Sequence, residues 1–303
     1  MRVLKRFNRH GMAAMAATFL GAAFAFPGVA SADGTFKVCA DPHYMPMSNR
    51  QGEGFENKIA ELFAKELGQE VEYTWFPQRM GFIRNTLRKK DQNGQYLCDV
   101  VMGVPAGYEL VKPTRAWYRS TYVLAVTGDG KLADAETAQD ILEMPAEKRG
   151  TLRFAAHERN PGVGWLADNG MLTQLKPYIA QLGDPNVGPG ELEGKDLVAG
   201  EVDAAILWGP LGAGLARQHP DRDIHLIPLP SMPEKGMQMD YAIAMGVHYP
   251  NDDMARTLNR LIGEKQEEIN AILADYGVPT LDVGEAGEVS DDDDDDEGDD
   301  DDD

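Results

Sequence analysis

Apolar residues along the chain follow the spacing of β-strands in some stretches and the spacing of helices in others. A short apolar strand is predicted at residues 36–40, followed by a loop at residues 41–53 that is rich in Pro, Ser, Asn and Gly. Phe55, Ile59 and Phe63 then recur at helical spacing. Because ligands of open α/β sheets bind where loops leave the carboxyl ends of strands, we expect the 41–53 loop to line a recognition surface.

The same alternation of periods continues through the rest of the chain. Further strands are predicted at residues 71–76, 98–104, 120–126, 152–156, 202–208, 223–229 and 241–247. Helices are predicted at residues 79–90, 138–142, 165–175, 177–182, 192–199, 211–218 and 253–276. This order predicts an α/β protein of two lobes, with lobe 1 formed by residues 33–120 plus 238–284 and lobe 2 by residues 121–237. The chain crosses between the lobes twice, which predicts a hinge and a cleft.

The two ends of the chain differ in composition from its body. Residues 1–32 carry four basic residues ahead of an apolar run and end on Ala30 and Ala32, which is typical of a cleaved secretory signal peptide. The apolar run is too short to be favoured as a membrane anchor. Residues 285–303 hold 14 acids and no base, which predicts a disordered acidic tail. We therefore expect an exported periplasmic protein with no membrane span.

Charge excludes some classes of partner. Removing the four basic residues of the signal segment takes the formal charge from −21 to −25, and removing the 14 tail acids leaves about −11. A body this acidic disfavours nucleic acid and anionic membrane surfaces as partners, and it suits basic proteins or cations.

The chain has two cysteines, at positions 39 and 98. Cys39 lies in the first predicted strand and Cys98 opens another, so the two sulfurs can meet if these strands are neighbours. An oxidising compartment would keep the pair bonded. We predict a Cys39–Cys98 disulfide; the alternative is two inert buried thiols.

Five stretches resemble a known family. They read VCADPHYMPMSNRQGEGFENKIAELFAKELG, YTWFPQRMGFIRNTLR, CDVVMGVPAGYE, YRSTYVLAV and GEVDAAILWGPLGAGLA, and they cover most of residues 36–247. The layout resembles the family-3 periplasmic solute-binding proteins, in the branch associated with quinoprotein dehydrogenases (the MxaJ/XoxJ type). The resemblance implies a two-lobed, periplasmic-binding-protein-like (type II) fold. It also implies a role in assisting a PQQ-dependent methanol or alcohol dehydrogenase.

The sequence departs from ordinary amino-acid receptors, which hold the ligand carboxylate with an Arg and the ammonium with an Asp. Residues 104–110 contain no Arg, and Trp208 stands where that Asp would be. Because a guanidinium fork is the side chain best suited to a carboxylate, the departure disfavours a free amino acid as ligand.

Aromatic, Met and polar residues of the predicted loops form the candidate partner-binding cleft. This set is Asp41, Tyr44, Met47, Asn49, Glu53, Tyr108, Trp117, Tyr118, Trp165, Trp208 and Pro210. Aromatic and Met side chains suit the core of a protein interface. The alternatives are that Trp117 and Trp165 pack the cores, that Asp41 caps its own loop, and that Glu53 and Glu56 are favourable first-turn acids.

Candidate metal and catalytic chemistry is sparse. His43 and His157 are single loop histidines without metal-ligand spacing. The tail, including Asp291, Asp292 and Asp293, offers weak capture of a hard cation such as Ca²⁺ or a lanthanide. We predict no cofactor and no catalysis, because neither a nucleophile triad nor a phosphate loop is present.

The resulting hypothesis is a non-catalytic periplasmic accessory protein. It would bind a PQQ-dependent methanol or alcohol dehydrogenase, of the calcium or lanthanide type, and assist its assembly or activation through the aromatic cleft; the dehydrogenase's cytochrome is a further candidate partner. The alternative is a receptor that delivers a small non-amino-acid ligand to an ABC transporter.

Overall fold

The fold alternates strands and helices, as the apolar periods predict. The structure is a computed structural model, and it describes residues 34–179 and 184–283. The predicted signal peptide and the acidic tail, with its candidate metal ligands, therefore lie outside the described residues. The strands are β1 (Thr35–Ala40), β2 (His43–Tyr44), β3 (Ser48–Asn49), β4 (Glu70–Trp75), β5 (Val100–Pro105), β6 (Lys112–Thr127), β7 (Phe154–His157), β8 (Leu175–Tyr178), β9 (Ala204–Trp208), β10 (Ile224–Pro228) and β11 (Asp240–Val247).

The α-helices cover both groups of strands. They are α1 (Phe55–Glu66), α2 (Phe82–Asn85), α3 (Ala138–Glu143), α4 (Ala146–Arg149), α5 (Gly162–Asp168), α6 (Glu191–Val198), α7 (Gly209–Gln218), α8 (Asp252–Glu264) and α9 (Gln266–Asp275). Helix α1 begins where Asn57 accepts a hydrogen bond from the Gly54 N–H (3.1 Å), and its face with Phe55, Ile59 and Phe63 is buried.

The long strand β6 joins two groups of strands. The sheet order is β4–β1–β5–β11–β6–β9–β7–β8, and β10 also pairs with β6. Residues 112–121 of β6 pair with β11, whereas residues 122–127 pair with β9 and β10. Strands β6 and β11 thus carry the two crossovers. The predicted fold class, a two-lobed α/β fold of the periplasmic-binding-protein type, is confirmed.

Two large apolar cores lie on either side of this crossing. One packs α1, α8 and α9 against β1, β5 and β11, and contains Phe36, Phe55 and Trp117. The other packs α3 and α5 against β7 and β9, and contains Phe154 and Trp165. Each group of strands therefore forms its own apolar core with the helices that pack against it.

The predicted disulfide is present. Strands β1 and β5 are parallel neighbours, and Cys39 and Cys98 are bonded with their Cα atoms 5.4 Å apart. Both cysteines are buried.

Four predicted helices need correction. The helix at residues 165–175 ends at Asp168, and it is followed by a 3₁₀ turn at Leu172–Gln174 and by strand β8 from Leu175. The helix at residues 79–90 is confined to Phe82–Asn85, because Thr86 leaves the helical region and Lys90 pairs with Tyr96 as a β-bridge. The helix predicted at residues 177–182 is replaced at Pro177 and Tyr178 by the end of β8, an edge strand in which Pro177 is tolerated, and residues 180–182 lie outside the described residues. The helix at residues 253–276 is broken at Lys265, where φ is −113°.

The described residues contain no helix that is both long and apolar enough to cross a membrane.

Candidate functional site

A cavity of about 300 Å³ lies between the two groups of strands, and we call it the central cavity. Its first wall comes from the β1–α1 region, β5 and β6, and consists of Tyr44, Met47, Glu56, Gln78, Gly103, Val104, Pro105 and Tyr118. Its second wall comes from β7, the loop before α6, β9 and α7, and consists of His157, Pro189, Gly190, Leu207, Trp208 and Leu211. Tyr122, Tyr241 and Ile243 of the crossing strands complete the lining.

The start of α1 directs Glu56 into the cavity. The Gly54 backbone passes so close to the loop before it that an added Cβ would lie 2.0 Å from the Met47 carbonyl oxygen. This approach lets the Phe55 and Glu56 N–H groups donate to the carbonyls of Pro46 and Met47 at 2.9 Å. On the opposite side, a Cβ at Gly103 would lie 2.4 Å from Glu56 Oε1. Gly54 therefore lets the start of α1 approach the preceding loop, and Gly103 leaves the room that the Glu56 carboxyl occupies.

Glu56 is a buried acid with 8% of its surface exposed. Burial, with a smaller contribution from the nearby Asp41 carboxylate, raises its pKa to about 8. The protonated form therefore predominates at neutral pH while the cavity holds no compensating positive charge.

Aromatic rings surround Glu56. Burial, and then the charge of Glu56, raise the pKa of both Tyr44 and Tyr118 well above the usual tyrosine range, so both phenols stay neutral. Tyr122, Trp208 and Tyr241 pack edge to face, with ring centroids 5.4 to 6.4 Å apart. The described lining thus combines five aromatic side chains with one acid.

Asp41 holds the loops beside the cavity. Its carboxylate accepts the backbone N–H groups of His43, at 2.8 Å, and of Gln78. Its backbone carbonyl accepts the Ser48 hydroxyl at 2.9 Å. These bonds join the loop after β1 to the loop after β4, which agrees with the capping alternative for Asp41. Asp41 lines a smaller adjoining cavity of about 90 Å³.

His157 ends β7 and lines both cavities. Its Nδ1 is buried and has no hydrogen-bond partner among the residues that the structure describes. Burial lowers its pKa, so the imidazole is neutral at pH 7.

The loop after β1 also touches the second half of the molecule. A Cβ at Gly214 of α7 would lie 2.8 Å from Pro46, and one at Gly188 would lie 3.1 Å from the His43 carbonyl oxygen. The loop after β1 therefore contacts the second group of strands and helices across the cleft at these two points, next to the central cavity.

The structure brings some predicted site residues together and separates others. Tyr44, Met47, Tyr118 and Trp208 line the central cavity. Asn49 lines an outer cavity and donates a hydrogen bond to the exposed Glu53 at 2.8 Å. Pro210 is buried in the first turn of α7, where its missing N–H costs nothing. Tyr108 is half-buried and packs near Val104 on the core that includes the disulfide.

Trp117 and Trp165 are corrections to the predicted cleft. Trp117 is fully buried, its ring contacts Phe55, and its Nε1–H donates to the Met102 carbonyl oxygen at 2.9 Å. Trp165 is 1% exposed within the second core. Trp117 lies in β6 and packs against α1, whereas Trp165 lies in α5 and packs into the core beneath that helix, so neither ring lines the central cavity.

Sequence reasoning missed Glu56 and His157 as cavity residues, and it missed Tyr122. Two signals were available. Glu56 precedes Ile59 and Phe63 by three and seven residues, which places all three on one face of α1. Tyr118 and Tyr122 are four residues apart in one strand, which places both rings on the same side of it.

The donor set suits neither a metal nor an anion. The described residues contain no group of three or more His, Cys, Asp and Glu side chains placed to hold a metal ion. Neither Lys nor Arg lines the central cavity within this part of the chain. The sequence indicates that the Arg that binds the ligand carboxylate in amino-acid receptors is missing. The described lining of the central cavity agrees, because it offers no other basic side chain for a carboxylate.

Comparisons with known sequences and structures point to the same group of proteins. No family model matches the chain. The structure resembles the crystal structure of periplasmic binding protein XoxJ from Methylobacterium extorquens AM1, with a TM-score of 0.63 and 30% identity over 81% of this chain and 99% of that one. It shares the fold of MxaJ from Methlophaga aminisulfidivorans MPT, with a TM-score of 0.66 and 23% identity over 81% of this chain and 100% of that one.

A sequence comparison gives a third relative. Protein MoxJ of Paracoccus denitrificans is 27% identical over 272 residues, which are 86% of this chain and 94% of that protein. The fold, the two crossovers and the 30% identity to nearly all of XoxJ lead to one conclusion. The chain belongs to the XoxJ/MxaJ-type family of periplasmic binding proteins.

Proposed function

We propose that the protein is a non-catalytic periplasmic accessory factor of methanol utilisation. In this role it binds a PQQ-dependent methanol or alcohol dehydrogenase and assists its assembly or activation. The partner uses the aromatic cleft around the central cavity, and the dehydrogenase's cytochrome is a further candidate for the same surface.

The compartment is supported by two observations. The buried Cys39–Cys98 disulfide is of a kind that persists in oxidising compartments such as the periplasm. The related XoxJ is a periplasmic binding protein. Export through a signal peptide at residues 1–32 remains a prediction from the sequence.

The composition of the central cavity is the observation that carries the proposal. Tyr44, Met47, Tyr118, Trp208 and Tyr241 line it, and its described lining includes no base that would clamp a carboxylate. Rigid aromatic rings and an adaptable Met are the side chains enriched where proteins bind a segment of a partner.

Co-purification from periplasmic extract tests this function. The tagged protein is expected to retain the methanol dehydrogenase, identified by mass spectrometry and by dye-linked activity. Trp208→Ala is expected to weaken that retention at least tenfold, because its ring lies at the centre of the aromatic lining. Leu172→Ala is the matched control, since Leu172 is an exposed apolar residue that does not line the cavity. Equal retention by the Trp208→Ala variant, or no dehydrogenase at all, would reject the proposal.

A transport receptor is the second candidate. It is favoured by the presence of a bounded cavity of about 300 Å³, which suits a small ligand. A receptor should gain thermal stability from one compound of a metabolite library and should ignore the dehydrogenase. The accessory factor should show the opposite pattern.

Hard-cation capture by the tail is a separate proposal. Carboxylates at Asp291, Asp292 and Asp293 suit Ca²⁺ or a lanthanide, which take many oxygen ligands in flexible geometry. Isothermal titration of the chain with and without residues 285–303 tests it. Equal cation affinity of the two chains would end the idea.

A further inference from the structure

The central cavity combines one carboxyl with electron-rich rings. Glu56 is the one acid among its described lining residues, which also include five aromatic side chains: Tyr44, Tyr118, Tyr122, Trp208 and Tyr241. The face of an aromatic ring attracts a cation, and the attraction is larger at a site shielded from water. A cation in this cavity would therefore find both a counter-charge and a favourable wall.

Among the described residues, Glu56 has no positive partner of its own. Within residues 34–179 and 184–283 no ion pair includes Glu56, and the charged neighbour that acts on it, Asp41, has the same sign. An ionised carboxylate buried without a partner is costly. The ligand-free cavity therefore keeps the Glu56 proton, whose pKa is about 8.

Other ligand classes fit this lining less well. An anion would meet Glu56 and would find neither Lys nor Arg in the described lining. A free amino acid would leave its carboxylate without a guanidinium partner. A hard metal ion takes six to eight oxygen ligands, and the described lining offers a single carboxyl.

We propose that the central cavity binds one alkylammonium group, with the ammonium against the Glu56 carboxylate and the alkyl stem against Trp208 and Leu211. The group has two possible sources, a small free amine or a lysine side chain of a protein partner. The inference rests on the proposed function only for the second source.

Binding is coupled to the release of the Glu56 proton. The titratable groups that interact with Glu56 are Asp41 beside the cavity, Tyr44 and Tyr118 on the first wall, and Tyr73 of β4, whose pKa is raised to about 12, first by burial. Tyr122 and Tyr241 of the crossing strands and His157 of the second wall share the cavity lining with it. The raised tyrosine pKa values and the lowered His157 pKa keep Tyr44, Tyr118, Tyr122 and His157 neutral near pH 7. An ammonium thus binds more tightly as the pH rises to about 8, by up to about tenfold per pH unit, and the affinity then levels off.

Isothermal titration with n-butylammonium between pH 6 and pH 9 tests the inference. At pH 6.5, in buffers of different ionisation enthalpy, binding is expected to release close to one proton. n-Butanol, the neutral analogue, is expected to bind at least tenfold more weakly at pH 8. Equal affinity for the two compounds, or an affinity that does not change with pH, would overturn the inference.

Two variants localise the effect. Glu56→Gln keeps the shape of the side chain, and it is expected to lower the affinity for butylammonium at least tenfold and to abolish proton release. Glu61→Gln is the matched control, because Glu61 is an exposed acid of the same helix outside the cavity, and its affinity should stay unchanged. The pH profile of the native chain decides the question even if Glu56→Gln fails to fold. Unchanged binding by a folded Glu56→Gln variant would contradict the inference.

A lysine mimic separates the two sources. Nα-Acetyl-lysinamide carries an alkylammonium group on a backbone fragment, so it should bind like butylammonium if a protein segment supplies the group. Its exclusion, with butylammonium still bound, would assign the cavity to a free amine. Failure of dehydrogenase co-purification with butylammonium binding intact would remove the proposed function and leave this inference standing. Failure of both compounds to bind would remove the inference alone.

Discussion

The two walls of the central cavity differ in what they contribute. The first wall carries Glu56, with its pKa raised to about 8, between two tyrosines that stay neutral. The second wall is formed by Trp208, Leu207, Leu211 and the neutral His157. The first wall therefore supplies the acidic group, and the second wall supplies apolar contact area. A ligand that uses both walls has to carry a charge at one end and apolar surface along its length.

The walls also differ in how tightly their backbones are held. The first wall depends on a disulfide, the Asp41 hydrogen bonds and Gly54, where an added Cβ would overlap a backbone carbonyl. On the second wall, a Cβ added at Gly212 of α7 would meet the ends of flexible Leu226 and Val123 side chains at 3.0 Å. An added methyl group should therefore cost more at Gly54 of the first wall than at Gly212 of α7.

Removal of the disulfide is expected to cause the largest loss of stability of any substitution on the first wall. Cys39 and Cys98 are 59 residues apart, and closing a loop of that length stabilises the folded state by about 4 kcal/mol in the chain-entropy model. The Cys39→Ala/Cys98→Ala double variant should lose about that much free energy of unfolding in guanidinium titrations. A loss below about 1 kcal/mol would show that the first wall is not held in this way.

Gly54→Ala is expected to have the next largest effect. The new methyl group would overlap the Met47 carbonyl oxygen, a backbone atom that cannot move without shifting the start of α1, and we expect a loss of about 3 kcal/mol or more. Gly212→Ala is the control on the second wall. Its overlap with flexible side chains is offset by the helix preference of Ala, so a change within about 1 kcal/mol is expected. Similar losses in both variants, measured by urea denaturation, would contradict the difference between the walls.

The titration of Glu56 should appear in the pH dependence of stability. The folded state keeps the Glu56 proton up to about pH 8, whereas the unfolded chain releases it near the ordinary value of 4.5. The folded state thus binds more protons in this window, so stability falls as the pH rises from about 4.5 to about 8, by at most about 1.4 kcal/mol per unit.

Glu56→Gln should remove this part of the decline, and the variant should be more stable than the native chain at pH 8 but not at pH 5. The comparison is made by thermal unfolding at each pH, with Glu61→Gln as the control for an exposed acid. A native chain and a Glu56→Gln variant with parallel pH profiles would show that Glu56 is not the group that titrates.

The sequence predicted the fold better than it predicted the cavity. The apolar strand of β1 and the face of α1 with Phe55 and Ile59 follow from spacing alone, and the disulfide follows from the two strands that hold it. Burial of Trp117 could not be read in this way, because a strand ring can face either the cavity or the covering helices. Which side it takes depends on the pairing of β6 with β11, which are far apart in the chain.

Glu56 is expected to be exposed at the start of its helix, but it is buried in the lining of the cavity. An acid in the first turn of a helix is ordinarily an exposed partner of the helix dipole, and Glu53 just before α1 is indeed exposed. Glu56 differs because Gly103, in another strand, leaves room for its carboxyl. The pattern of α1 places Glu56 on the apolar face, but only the neighbouring strand shows that a cavity lies there.

Trp208→Ala is expected to give the smallest loss of stability, and it tests the second wall directly. Trp208 is half-buried and contacts the rings of Tyr122 and Tyr241, so its truncation should cost about 1–2 kcal/mol. Trp117→Ala is the control within the core, where removing a fully buried indole should cost about 3–5 kcal/mol. If the second wall supplies contact area and not stability, Trp208→Ala should lose butylammonium and dehydrogenase binding while its unfolding midpoint changes little. A Trp208→Ala variant as unstable as Trp117→Ala would instead make the second wall part of the core.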